Sequence, residues 1–295
     1  MLDPASFAYD QQAPLTLEIV AEHTHDGAIV RDITYASPYG GKVPAYLILP
    51  VQQKPQAGLI FGHWGEGNRE EFVDEAIVLT RLGFVSLCLD APVRRPAEYE
   101  PQRTQPQTEL QWVADVRRGV DLLLATYALP PEHIGYVGHS FGATFGGIIT
   151  GVEQRISAFV LMAGWYALSE LARTSPVPVL AEARSKIPPR VFAAYMDAMA
   201  PLDARHYIGH AAPAQLFFQF ARNDPAVTVE DGQRYFDLAS EPKQIAWYDN
   251  CGHEFNAQAR LERATWLCET LHLARPSQEV MQLLEQVPAP TPLES

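Results

Sequence analysis

With 295 residues, 47% of them hydrophobic, the chain can bury one sizeable core, and α/β chains of this length often form a single domain. A net charge of −13 weighs against nucleic acid, because neutralising phosphates needs clustered Lys and Arg. Three cysteines, Cys88, Cys251 and Cys268, are too few and too scattered for a disulfide framework or a metal cluster.

The opening "MLDPASFAYDQQAP" lacks a basic region followed by an apolar run, and no segment approaches 18 uninterrupted apolar residues. The expectation is a soluble, cytoplasmic protein with no membrane partner. Residues 15–50 alternate apolar and polar positions in "LTLEIV", "AIVRDITYA" and "VPAYLILP", with the turn signal "SPYGGK" between the last two. They read as antiparallel strands. Beyond residue 57 the pattern changes to short, fully apolar runs separated by helical stretches. "GLIFGHW" is followed by a helix from about Arg69 to Leu82, then "FVSLCLD" and a helix from about Gln107 to Ala128. "IGYVGHS", a helix from Ser140 and "ISAFVLMAG" come next. After residue 210 come "AQLFFQFA", a helix from about Val229 to Ala239, "KQIAWYD" and a helix from about Ala257 to Leu273. Continuous apolar strands alternating with helices predict a mostly parallel central sheet with helices on both faces.

Residues 165–210 break this rhythm with short helical pieces punctuated by Pro176, Pro178, Pro188 and Pro189. A helical insertion between two sheet strands would lie over the strand ends as a cap; the alternative is extra packing at one edge. The segment 276–295 reads as a short helix followed by a loosely ordered, Pro-rich tail.

In α/β sheets ligands bind beyond the carboxyl ends of the strands, so candidate residues are sought there. "GHSFG" places Ser140 after an apolar strand and before a run of small residues, the strand–turn–helix context of a nucleophile elbow. The pattern recurs by chance, so partners must be found. His253, in "WYDNCGHEF", follows the last strand in an exposed glycine-containing loop and can serve as base. Asp224, in "FFQFARNDPAV", follows another strand and can orient the imidazole; Asp249 is its rival, also at a strand end. His139 reads as packing, Asp90 as a loop cap, and Glu70, Glu71 and Asp115 as caps or solvated charge. For the oxyanion, the backbone N–H of Phe141 and that of Trp64 or Gly65, after "LIFGH", are the candidate donors. Trp165, Tyr166, Phe192, Tyr195 and Met196 are candidates to line a substrate pocket, or else to pack the insertion on the body. No His or Cys cluster has metal-ligand spacing, and the Ser140 loop lacks the Lys of a phosphate loop, so neither a metal nor a cofactor is expected.

Together, "VPAYLILP", "GLIFGHWGEGNREEF", "GFVSLCLDAP", "IGYVGHSFGA", "RNDPAV" and "CGHEF", in this order across about residues 30–273, resemble the α/β-hydrolase superfamily. Within it, the chain is most similar to the dienelactone-hydrolase-like and prolyl-oligopeptidase-like serine hydrolases. The resemblance implies an α/β-hydrolase fold and a triad of Ser140, Asp224 and His253, with the oxyanion held after His63 and at Phe141. Two departures stand out. Relatives carry His-Gly where this chain has His63-Trp64, and dienelactone hydrolases proper use a cysteine where it has Ser140. The implied activity is hydrolysis of a small carboxylic ester through an acyl-enzyme. The same triad would also serve a small aminopeptidase or amidase, an acyltransferase or a C–C hydrolase, and a non-catalytic binding protein is the reading from a different class. The assembly state stays open, a homodimer included.

Overall fold

The computed structural model describes residues 2–99 and 107–289. Nine strands form one sheet: β1 (Glu18–His25), β2 (Ala28–Ala36), β3 (Lys42–Pro50), β4 (Ala57–Gly62), β5 (Phe84–Leu89), β6 (Ile134–His139), β7 (Ala158–Met162), β8 (Gln215–Ala221) and β9 (Lys243–Tyr248). Their spatial order is β1-β2-β3-β5-β4-β6-β7-β8-β9. The pairs β1–β2, β2–β3 and β3–β5 are antiparallel, and every pair from β5 to β9 is parallel.

Burial explains the two sequence textures. Strands β4, β5, β6 and β7 are buried at every residue, because helices cover both faces of the parallel part. Each Leu, Ile, Val or Phe removed from water there contributes roughly 1.5–3 kcal/mol. β1 differs: all eight residues are exposed, since it pairs only with β2 at the sheet edge and nothing among the described residues covers its apolar positions. Ile19 and Val20 are left in solvent.

The helices are α1 (Val73–Leu79), α2 (Gln107–Thr126), α3 (Phe141–Val152), α4 (Leu168–Thr174), α5 (Pro178–Lys186), α6 (Pro189–Met199), α7 (Val229–Leu238), α8 (Ala257–Thr270) and α9 (Gln278–Gln286). One layer holds α2, α3 and α7, tied where the Tyr235 hydroxyl donates to the Ala143 carbonyl at 3.1 Å. The other holds α1, α8 and α9, where Arg263 of α8 pairs with Glu75 of α1 in the interior. Helices α4, α5 and α6 fill the stretch between β7 and β8. Pro178 and Pro189 open α5 and α6, at the first helical position, whose N–H has no partner inside the helix.

In the segment from 276, α9 is docked rather than loose: Val280 and Leu284 are buried, and Arg260 donates to the carbonyls of Leu284, Val287 and Pro288. Residues 290–295 of the expected tail lie outside the described residues. Among the described residues no helix is long and apolar enough to cross a membrane.

Candidate active site

Ser140 joins β6 to α3 with φ 51° and ψ −103°, a conformation an L-residue holds only at a cost on the order of 1–3 kcal/mol. Its surroundings over-determine it. The Ser140 N–H donates to the Met162 carbonyl, and its carbonyl accepts from the N–H and the hydroxyl of Thr144, all at 2.8 Å. Both flanking glycines are there for close approach. A Cβ on Gly138 would lie 2.5 Å from the Gly142 backbone, and one on Gly142 would run into the Gly62 carbonyl at the end of β4. That contact brings the start of α3 against the loop after β4, where the Gly142 N–H donates to the His63 carbonyl at 3.1 Å.

His253 lies between β9 and α8. It is 3% exposed, so the exposed loop histidine expected from sequence is in fact buried. Its Nδ1 meets Asp224 Oδ2 at 2.9 Å and Oδ1 at 3.1 Å. An ionised carboxylate only accepts, so Nδ1 carries the proton and Nε2 keeps its lone pair. Asp224 Oδ1 also accepts the N–H groups of Ala226 and Val227, at 2.7 and 3.1 Å. The rival Asp249 points to solvent and pairs with Arg222. Cys251, two residues before His253, is no competing nucleophile: burial pushes its thiol up to about 11.

Of the candidate oxyanion donors, the Trp64 N–H is already engaged, donating to Glu71 Oε2 at 2.8 Å. This removes Trp64 from that role. The Trp64 carbonyl meets His63 Nδ1 at 2.6 Å. In a planar trans peptide the next N–H points opposite to that carbonyl, so the Gly65 amide faces away from the His63 ring. His63 Nε2 accepts the Ala91 N–H at 2.9 Å, so Nδ1 is the protonated nitrogen. Burial holds the His63 pKa below its usual 6.5. Neither Gly65 nor Phe141 gives its N–H to an acceptor among the described residues. Phe141 is held by ring contacts with Trp112 and Phe145, centroids 5.7 and 4.8 Å apart.

A cavity of about 200 Å³ opens at this place, and both Ser140 and His253 line it, with Trp64, Gly65 and Phe141. Among the five residues expected to line a pocket, only Trp165 does. Its N–H donates to the Thr144 hydroxyl and its indole N–H to the Ala226 carbonyl, both at 3.0 Å. The other four pack elsewhere. Tyr166, Phe192 and Met196 are buried, and the Tyr195 hydroxyl donates to Glu109 at 3.3 Å. The apolar side of α6 is used up against its neighbours, so aromatic content there signals packing. The remaining walls were not anticipated: Thr144 and Phe145 on the first turn of α3, Leu168, Val179 and Ala226, with Glu66 at the rim. A signal existed for Thr144, which lies one helical turn after Ser140.

Three further expectations do not hold, and the first is Asp115: it is no solvated charge but pairs with Arg95 at 2.6 Å with both side chains fully buried. His139 and Glu71 are joined side chain to side chain beside Ser140, each 2% exposed, with Nδ1 and Oε1 2.5 Å apart. Glu71 is therefore no solvated charge and His139 no mere packing. No group of three His, Cys, Asp or Glu among the described residues is placed to hold a metal.

No protein-family model and no curated protein matches the sequence. Solved structures do match. The acetyl xylan esterase from Paenibacillus sp. R4 aligns at TM-score 0.74 and 14% identity, covering 89% of this chain and 90% of that one. Acetyl xylan esterase 1 from Thermoanaerobacterium sp. JW/SL YS485 aligns at 0.75 and 12% identity, covering 90% and 91%. The alpha/beta hydrolase GrgF from Penicillium sp. sh18 aligns at 0.65 and 14% identity, covering 82% and 98%. At such identities the likeness is one of fold: this chain has the α/β-hydrolase fold, with antiparallel strands at its N-terminal edge.

Proposed function

We propose that the protein is a serine hydrolase that cleaves carboxylic esters. The observation that carries this reading is one cavity lined by both Ser140, in its strained elbow, and His253, whose Nδ1 is held by Asp224. Ser140 Oγ attacks the acyl carbon while His253 Nε2 takes its proton. Asp224 stabilises the imidazolium that results. The N–H groups of Phe141 and Gly65 donate to the carbonyl oxygen as negative charge develops on it. His253 returns the proton to the departing alcohol, leaving an acyl group on Ser140. Water, deprotonated by His253, then attacks the acyl-enzyme, and the acid leaves as Ser140 recovers its proton. No metal or cofactor is needed for these steps.

The apolar walls supplied by Phe145, Trp165 and Leu168 suit a short, uncharged acyl group. Helices α4 to α6 act as a cap, reaching the cavity through Leu168 and Val179. Esterases recur among chains that share the fold, which supports ester over amide as the scissile bond. The test is a panel of p-nitrophenyl esters run beside aminoacyl anilides, with fluorophosphonate labelling of the native protein and of Ser140→Ala. Short-chain esters should be cleaved fastest, and labelling should vanish in Ser140→Ala. Anilides cleaved far faster than any ester would overturn the ester assignment, and an unlabelled native protein would overturn the serine mechanism.

A further inference from the structure

Between the loop after β4 and the loop after β9 runs a continuous chain of buried hydrogen bonds that the mechanism above does not use. It begins at the Trp64 N–H, which donates to Glu71 Oε2 at 2.8 Å. The other carboxyl oxygen, Oε1, meets His139 Nδ1 at 2.5 Å. His139 Nε2 in turn lies 2.8 Å from the main-chain carbonyl of His253. A carbonyl can only accept, so Nε2 carries a proton, and one further proton is shared between Nδ1 and Oε1. The His139 ring also lies against the His253 ring, centroids 4.9 Å apart, and Phe255 closes its edge at 5.8 Å.

We propose that Glu71 and His139 are a positioning pair that fixes the oxyanion loop and the base loop relative to each other and to Ser140. The proposal rests on the hydrolase reading of Ser140 and His253. Two features distinguish it from incidental packing of polar groups. First, all four polar atoms of the pair are partnered, and both outward links end on main chain of a loop that lines the cavity. Second, those links fall at the points where a catalytic loop must not shift. Holding the Trp64 N–H anchors the residue whose carbonyl, set against His63 Nδ1, shares its peptide plane with the Gly65 amide. Holding the His253 carbonyl fixes the backbone from which the imidazole projects. Oxyanion donors act without reorganising as charge develops, and a displacement of about 1 Å in such a site can cost roughly a hundredfold in rate. His139 directly precedes Ser140, so the pair references both loops to the elbow itself. Neither side chain lines the cavity, so neither is a catalytic residue.

Glu71→Leu keeps much of the side-chain volume and removes both hydrogen bonds of Glu71, to the Trp64 N–H and to His139. Glu71→Gln keeps both, since its carboxamide oxygen can accept from Trp64 while its NH₂ donates to a neutral His139. Rates are taken per fluorophosphonate-titrated Ser140, so that unfolded protein does not count. For Glu71→Leu the expected result is a kcat lower by roughly a hundredfold with KM changed by less than about threefold, while Glu71→Gln stays within about fivefold of native kcat. Should Glu71→Leu fail to fold, His139→Phe, which keeps a ring and cuts the link to His253, is expected to show the same fall in kcat at constant KM. Native kcat per titrated site in the severing variant overturns the proposal, as does an equal loss in Glu71→Gln. A native protein that neither labels nor turns over any ester overturns the hydrolase reading itself, and this proposal with it. Native protein that labels and turns over while the severing variant matches it overturns the positioning role alone.

Discussion

The loops at the carboxyl edge of the sheet and the helices α4 to α6 face one cavity but are built by different means. The loops are pinned by buried polar contacts: Ser140 through Met162 and Thr144, His253 through Asp224, Trp64 through Glu71 and His63. The helical segment reaches the cavity through Leu168 and the half-exposed Val179, while its larger apolar residues Phe192 and Met196 are turned inward. Hydrogen bonds are directional, so they hold reacting atoms to tenths of an ångström. Apolar packing excludes water and shapes volume without that precision. In the proposed reaction the chemistry sits on the loops, and substrate choice falls to the walls.

Asp224→Asn attacks the first region at its most sensitive point. An asparagine can present its NH₂ to Nδ1 and leave the wrong tautomer facing Ser140, so kcat should drop by about 10⁴-fold with little change in fold. Stopped-flow acylation with a p-nitrophenyl ester measures it; a drop under tenfold would mean that Asp224 does not orient His253.

Trp165→Ala attacks the second region. Trp165, three residues before α4, is a wall held to the body of the molecule by its backbone N–H on Thr144 and its indole N–H on the Ala226 carbonyl. Its removal should enlarge the cavity and shift the preferred acyl chain upward, with kcat/KM for a short ester falling about tenfold, the scale of one or two lost methylene contacts. An unchanged chain-length profile would place the acyl site elsewhere.

The smallest effect sharpens the contrast rather than breaking it. Burial depresses the His63 pKa below 6.5, so at pH values under 6.5 the unfolded chain binds a proton that the folded chain resists. Stability from this residue is present above that value and is lost as pH falls through it. Urea midpoints measured from pH 7.5 to 5.5 should decline, and His63→Asn should flatten the decline. An identical slope in both proteins would mean that another group, such as His206, whose pKa burial also lowers, carries the acid sensitivity.

Legibility followed the same division. The order Ser140, Asp224, His253 after the ends of β6, β8 and β9 could be read from the chain, because apolar runs mark strands and the sheet's own geometry gathers their carboxyl ends. The pocket could not. Trp165 was recognisable as aromatic, but its neighbours Tyr166, Phe192, Tyr195 and Met196 are just as apolar and point elsewhere, and helical spacing alone does not say which side meets the cavity. Glu71 and His139 were hidden for another reason: a carboxylate near a helix start looks solvated until its partner, 68 residues away, is seen beside it.

The sequence by itself determined the sheet, the elbow at Ser140 and the residues able to serve as base and acid, because these depend on local pattern and strand order. Only the tertiary structure decided that the Trp64 amide is taken up by Glu71, which leaves Gly65 as the candidate donor on that loop, and that Glu71 and His139 link the two loops around Ser140. Those outcomes depend on which buried polar atoms meet across distant segments, and desolvation forces each of them to find a partner that no local pattern names.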